Sequence, residues 1–170
     1  LAASASVLAR LYRSCAAAQA RSPSSRSALR AAAACSAAEM LGISIETFER
    51  TVGYLKEREQ FGSKIGTFQG LQHRAAQLFA EIEVSKSAVL AALQALDANS
   101  EKRSVLASMA KAKCSKVLRN ATEEGIQMHG GIGMTDEFDI GFFIKRARIA
   151  QMLFGDHRYH LNRYAELSGY

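Results

Sequence analysis

Apolar residues recur along most of this chain every three to four positions, and nowhere do they alternate long enough to read as a strand. From Ser27, "SALRAAAACSAAEMLGISIETFERTVGYLKEREQF" places Met40, Leu41, Ile45, Phe48, Val52 and Leu55 at helical spacing. "GSKIGT", with two glycines, breaks the pattern. A second helix is predicted over about 68–96, with Leu71, Ala75, Leu78, Phe79, Ile82, Val89, Leu90 and Leu93 as its apolar positions. "DANSEKR" reads as a turn, and Ser100 before Glu101 as a helix start. A third helix covers about 101–128, its stripe formed by Leu106, Met109, Ala110, Val117, Leu118 and Ile126. A fourth begins near 138 and runs through "IGFFIKRARIAQMLFG", followed by a shorter helix over about 157–167. Together these predict an all-α, antiparallel up-and-down four-helix bundle with a short C-terminal tail helix. Residues 26–170 form that bundle, with Leu78, Ile82, Leu106, Met109 and Val117 in its core.

Between the third and fourth helices, "QMHGGIGMT" puts three glycines into four positions. Each Gly is about 0.8–1 kcal/mol worse than Ala inside a helix, so the third helix ends there. Two readings stand side by side: a helix cap and turn, or backbone left bare so that a ligand comes close.

Composition narrows the class. A chain of 170 residues, 48% apolar, with one proline, suffices for one helical domain with a real core. No apolar run approaches the roughly 18 residues of a membrane span, so a soluble chain without a membrane span is expected. Residues 1–31 carry five arginines and no acid, whereas the remainder holds 17 basic and 16 acidic residues. The formal charge of +6 therefore belongs almost wholly to the first segment. A nucleic-acid-binding body would carry its basic patch on the folded part, so no nucleic-acid partner is expected. Residues 1–25 form a poorly defined Ala/Ser/Arg-rich lead-in, which reads equally as an organelle transit peptide or as the remnant of a longer chain. A first residue other than Met fits a fragment or a processed product. Cys15, Cys35 and Cys114 offer neither zinc spacing nor a disulfide framework. They read as packing or surface thiols in a reducing interior: the cytoplasm, or alternatively the mitochondrial matrix.

The local constellations are bland one at a time. Arg58 in "KEREQFG" suits the last turn of a helix, where a cation faces the negative end of the dipole. "TFQGLQHR" suits a solvated helix start. His73 and His129 lack metal partners at fixed spacing, and the His157/His160 pair is weak, so no metal site is expected. No nucleophile elbow, phosphate-binding loop or dinucleotide fingerprint occurs.

In order, however, they make a pattern: Arg-x-x-Phe-Gly, then Phe-Gln, then Gln-x-x-Gly-Gly-x-Gly two helices later. "YLKEREQFGSKIGTFQGLQH", "GIQMHGGIGMTDEFDIGFFIKRARI" and "LFGDHRYHLNRYAE" resemble the carboxy-terminal helical domain of acyl-CoA dehydrogenases, a bacterial-type subunit in particular. The resemblance runs from about 27 to 164. It implies that flavin adenine dinucleotide (FAD) lies in a crevice shared by two subunits. Arg58 would then contact pyrophosphate with Phe61 packed nearby, and Phe68 and Gln69 would line the adenosine end. Gln127, Met128, His129, Gly130 and Gly131 would offer polar groups and bare backbone to ribose and pyrophosphate. It also implies an acyl-CoA substrate, fatty acid metabolism, a homo- or heterotetramer built as a dimer of dimers, and an electron-transfer flavoprotein as acceptor.

The family's reaction is α,β-dehydrogenation of an acyl-CoA thioester, in which a carboxylate takes the α-proton while hydride leaves the β-carbon for the flavin. The resemblance puts that carboxylate at position 154 or, in some members, near position 32. Here those residues are Phe154 and Ala32. The nearest acids, Asp156 and Glu39, are weak candidates for the base. The domains that hold the rest of the cofactor and substrate have no counterpart in this chain, so alone it is expected to be inactive. Two situations fit: the tail of a complete dehydrogenase, or a non-catalytic subunit that completes a partner's site. A helix bundle serving assembly alone, and an acyl-CoA oxidase-like domain, are the alternative readings.

Overall fold

The structure, a computed structural model, describes residues 25–170. The lead-in and Cys15 lie outside the described residues. Five α-helices follow among them: α1 Ser25–Glu57, α2 Gln69–Asp97, α3 Arg103–His129, α4 Ile140–Met152 and α5 His157–Leu167. Short 3-10 turns at Ile65–Thr67 and Gly130–Met134 lie in the connections.

Cross-helix contacts fix the directions. Met40 of α1 lies beside Lys111 and Ser115 of α3, and Tyr54 beside His129, so α1 and α3 run parallel. Arg74 pairs with Glu124 at 2.7 Å and Glu81 with Lys113, so α2 runs against α3. Arg50 pairs with Asp139 and Glu39 with Arg146, so α4 runs against α1. The expected up-and-down bundle is the one found. α5 continues in the direction of α4 beyond a sharp break.

α3 is the central element, in contact with each of the other four helices. Its buried stripe is Ala107, Ala110, Cys114, Val117, Leu118 and Ala121. Against it α1 presents Ala34, Ala37, Ala38 and Leu41. Small residues on both sides let the two axes close in. That is why Leu78, Ile82 and Val117 are buried as expected, while Leu106 and Met109 are only half-buried. The alanines take the seam, and the longer side chains flank it. Closest approach occurs at Gly125, where a Cβ would stand 2.9 Å from Cγ2 of Thr47 and 3.3 Å from Oγ1 of Thr51. The hydroxyls of Ser44, Thr47 and Thr51 each donate to the carbonyl four residues back, which satisfies them inside the core.

Two expectations need correction. Ser27–Glu57 is, by length and composition, long and apolar enough to cross a membrane. It is a core helix: just over half of its apolar window is buried inside the fold. And a strand does occur, if a minimal one. Glu59–Gln60 (β1) pairs antiparallel with Ser63–Lys64 (β2). Phe61 and Gly62 between them both have positive φ, 56° and 74°, the geometry of a tight hairpin turn. Two residues per strand leave no period-two signal to read.

One charged residue belongs to the core. Lys111 is fully buried; its Nζ donates to the carbonyls of Ala150 at 2.9 Å and Gln151 at 3.3 Å, at the carbonyl end of α4. Burial pulls its ammonium down from 10.5 to about 8. The Cys114 thiol beside it is pushed up to about 12, also by burial.

Two consequences are measurable. Gly53, also within α1, has open space where a Cβ would go, so Gly53→Ala should raise stability by about 0.5–1 kcal/mol. Gly125→Ala should instead lower it by about 1–3 kcal/mol through overpacking; chemical denaturation of both variants reads the sign. Secondly, between about pH 8 and the ordinary lysine value of 10.5 the unfolded chain holds a proton that folded Lys111 has released. That contribution to stability rises with pH across the window. The stability of the Lys111→Met variant, followed from pH 7 to pH 9, should lack the rise.

Candidate functional site

α1 and α3 end side by side, and both sequence constellations sit there. Tyr54, one turn before Arg58, stacks on the His129 ring with centroids 4.4 Å apart, and Phe138 closes over both rings at 5.7 and 5.6 Å. The Tyr54 hydroxyl donates to the His129 carbonyl at 3.4 Å. His129 is buried, and its Nδ1 lies 2.6 Å from the Gly125 carbonyl, which makes that nitrogen the donor. This aromatic stack fixes where α3 stops and where the glycine bend begins.

Past Arg58 the chain forms an exposed arm over residues 58–68. The arm is tied back by Arg58 itself, whose N–H donates to the Tyr54 carbonyl and whose carbonyl accepts from Ile65, both at 2.9 Å. The Arg58 side chain is exposed. Phe61 is 91% exposed, and its ring meets the edge of Phe68, also exposed, at 6.1 Å. Gln69 opens α2 in water. At the glycine bend, Gln127, Gly130 and Gly131 are exposed, and nothing lies within 4 Å of where a Cβ would stand on either glycine. Gly130 has a φ of 68°. Met128 and His129, in contrast, are buried. Anything these two offer a ligand comes from the main chain. The ensemble therefore presents a guanidinium, an aromatic pair and bare main chain at one end of the bundle. That set suits an anionic, aromatic ligand.

The break between α4 and α5 makes a second feature. α4 ends at Met152, short of the expected reach through Gly155, because Phe154 (φ 60°) and Gly155 (φ 103°) both turn left-handed. Phe154 is half-exposed and lines a pocket of about 740 Å³ between α1, α3 and α5. Arg30, Ser104, Ser108, Tyr159 and Arg163 also line it, and among the described residues no carboxylate does. Ala32 is half-buried on α1. The two candidate acids have structural partners. Asp156 caps α5 by accepting from the Tyr159 N–H at 2.8 Å, and Glu39 accepts from Arg146 Nε at 2.9 Å.

Sequence reasoning passed over Tyr54, Phe138 and Lys111, and weighed His157 and His160 only as metal ligands. Tyr54 precedes Arg58 by one helical turn, so its place at the helix end was readable. Lys111 falls in the α3 stripe at 107, 111, 114 and 118, yet a lysine reads as solvated in any hydropathy pattern. His157 and His160 face inward: His157 Nδ1 meets the Ala112 carbonyl, and His160 Nε2 the Phe154 carbonyl, both at 2.9 Å.

Comparison with known proteins agrees with this architecture. Residues 23–168 match the acyl-CoA dehydrogenase C-terminal domain family. The chain is 37% identical over 127 residues to the acyl-CoA dehydrogenase IpdE2 of Mycolicibacterium smegmatis, covering 75% of this chain and 39% of that protein. It is 35% identical over 132 residues to the mitochondrial short/branched chain specific acyl-CoA dehydrogenase of Rattus norvegicus, covering 76% and 30%. Among solved structures, butyryl-CoA dehydrogenase from Megasphaera elsdenii superposes with a TM-score of 0.78 at 27% identity, covering 82% of this chain and 36% of that one. The chain thus spans well under half the length of these relatives. Fold, motif order and sequence identity converge: the chain belongs to the acyl-CoA dehydrogenase family, of which it carries the C-terminal helical domain.

Proposed function

We propose that this chain is the FAD-contacting, subunit-facing domain of an acyl-CoA dehydrogenase. The carrying observation is that exposed Arg58, the Phe61–Phe68 edge and the open Gly130–Gly131 main chain follow the paired ends of α1 and α3, which the Tyr54–His129 stack joins. These groups fit a dinucleotide. Arg58 supplies a planar, permanently charged fork for pyrophosphate oxygens, and Phe61 packs beside it. Phe68 and Gln69 face the adenosine. Gln127 and the amides of Gly130 and Gly131 face ribose and phosphate, while Met128 and His129 brace the bend from within. When bound, the flavin supplies the electron acceptor for acyl-CoA dehydrogenation. The tip of the arm is exposed, and the dinucleotide it meets belongs to a site shared with a second subunit, in a dimer or dimer of dimers. An electron-transfer flavoprotein then reoxidises the complete enzyme.

The base position carries the second part of the reading. Phe154 lines a pocket that has no acid among its described walls, and Asp156 and Glu39 serve as a cap and an ion pair. A phenyl ring does not accept an α-proton. This subunit therefore completes a site whose carboxylate comes from a homologous partner.

Arg58→Ala in the full-length parent assembly should remove one charge-assisted contact of about 1.5–3 kcal/mol, and so weaken FAD retention about ten- to hundredfold. Flavin absorbance after gel filtration measures this, and unchanged flavin content would sink the assignment and favour a bundle for assembly alone. For the base, reduction of an artificial acceptor by acyl-CoA should need both this subunit and its homologous partner. Full activity of the parent alone, lost in Asp156→Asn or Glu39→Gln with flavin retained, would show that the base lies here after all.

A further inference from the structure

The turn between α4 and α5 holds a conformation that its own sequence does not favour. A phenylalanine at φ 60° is uncommon and strained. It is followed at once by Gly155 at φ 103°, where a Cβ would lie 2.5 Å from the Tyr159 ring and 3.0 Å from His160 Nε2. Such a turn persists only if its surroundings impose it. Two side chains from outside the turn do so. On one flank Lys111, fully buried in α3, donates to the carbonyls of Ala150 and Gln151 and so fixes where α4 ends. Gln151 returns the tie one turn along, donating to the Ser115 carbonyl at 2.8 Å. On the other flank His160 of α5, only 4% exposed, reaches back to the Phe154 carbonyl at 2.9 Å.

The histidine's chemistry sharpens its role. A carbonyl only accepts, so Nε2 must carry the ring proton. Nδ1 is buried and has no hydrogen-bond partner among the described residues. A ring that leaves one nitrogen unsatisfied while the other binds the strained residue's own carbonyl is placed for that single bond. Phe154 itself is one of the residues that line the pocket between α1, α3 and α5.

We propose that Lys111 and His160 are positioning residues for position 154: together they clamp the turn, so that this position is held at the wall of the pocket whatever its side chain. The functional meaning rests on the reading above, in which this turn borders the substrate site; the clamp itself does not depend on flavin.

The chain contains no tryptophan, so Phe154→Trp creates a single reporter at the turn. In that background, His160→Leu and Lys111→Met should each raise acrylamide quenching about twofold, because a freed turn opens locally. His160→Gln, which keeps a donor in place of Nε2, should restore the parental value. Leu118→Ala, a core truncation on the same helix without contact to the turn, should lower the melting temperature and leave quenching unchanged. Unchanged quenching in His160→Leu, or an equal rise in Leu118→Ala, overturns the proposal. Should His160→Leu not fold, Lys111→Met decides by the same comparison. The unsubstituted chain offers a check without mutation: nitrogen-15 spectra should show His160 as the Nε2–H tautomer, and the opposite tautomer overturns the proposal. None of these readings involves Arg58 or flavin, so the clamp and the cofactor assignment can fail separately.

Discussion

The bundle depends on how closely α1 and α3 approach. Alanines on both helices and Gly125 against Thr47 remove the side-chain bulk that would hold the axes apart. Everything functional is referred to that contact. It sets the two helix ends level, lets Tyr54 stack on His129, and thereby brings the arm and the glycine bend to one place. A longer residue at the crossing would separate the two halves of the proposed cofactor-facing end before it disturbed either of them.

Nearer its middle, α3 works by polar rather than steric means. A buried ammonium is expensive unless its donors are used. Lys111 uses them on main-chain carbonyls at the negative end of a helix, with the charges of Glu39 and Asp156 adding to the compensation. His157 and the buried His160 continue the same device into α5. α3 therefore carries the two candidate regions on one rigid rod, the glycine bend at its C-terminal end and the 153–156 turn beside its middle.

Much of this was legible in the residues. Helical periodicity located the helices to within a few positions, because their apolar faces are continuous. The glycine bend and the Arg58 segment stood out through their order. What escaped notice was whatever violates a residue's ordinary preference: a phenylalanine at positive φ in the hairpin and again at position 154, a lysine in a core stripe, and the inward placement of two histidines. Neither propensity nor hydropathy flags these positions, since tertiary contacts override both there. The half-burial of Leu106 and Met109 has the same origin. Periodicity identifies the face of a helix, but not which small residues will occupy the line of closest approach.

The apolar character of α1 bears on how the chain is made as well as how it is held. Within this domain α1 is made before its cover, since the helix that covers its alanine face most fully, α3, begins only at Arg103. While α2 is being assembled, a segment apolar enough to cross a bilayer is therefore only partly covered, and α4 comes later still. Within the domain the apolar helix is made early and its cover late. For a molecule of this order, the vulnerable interval lies in translation, before the native contacts exist to be measured.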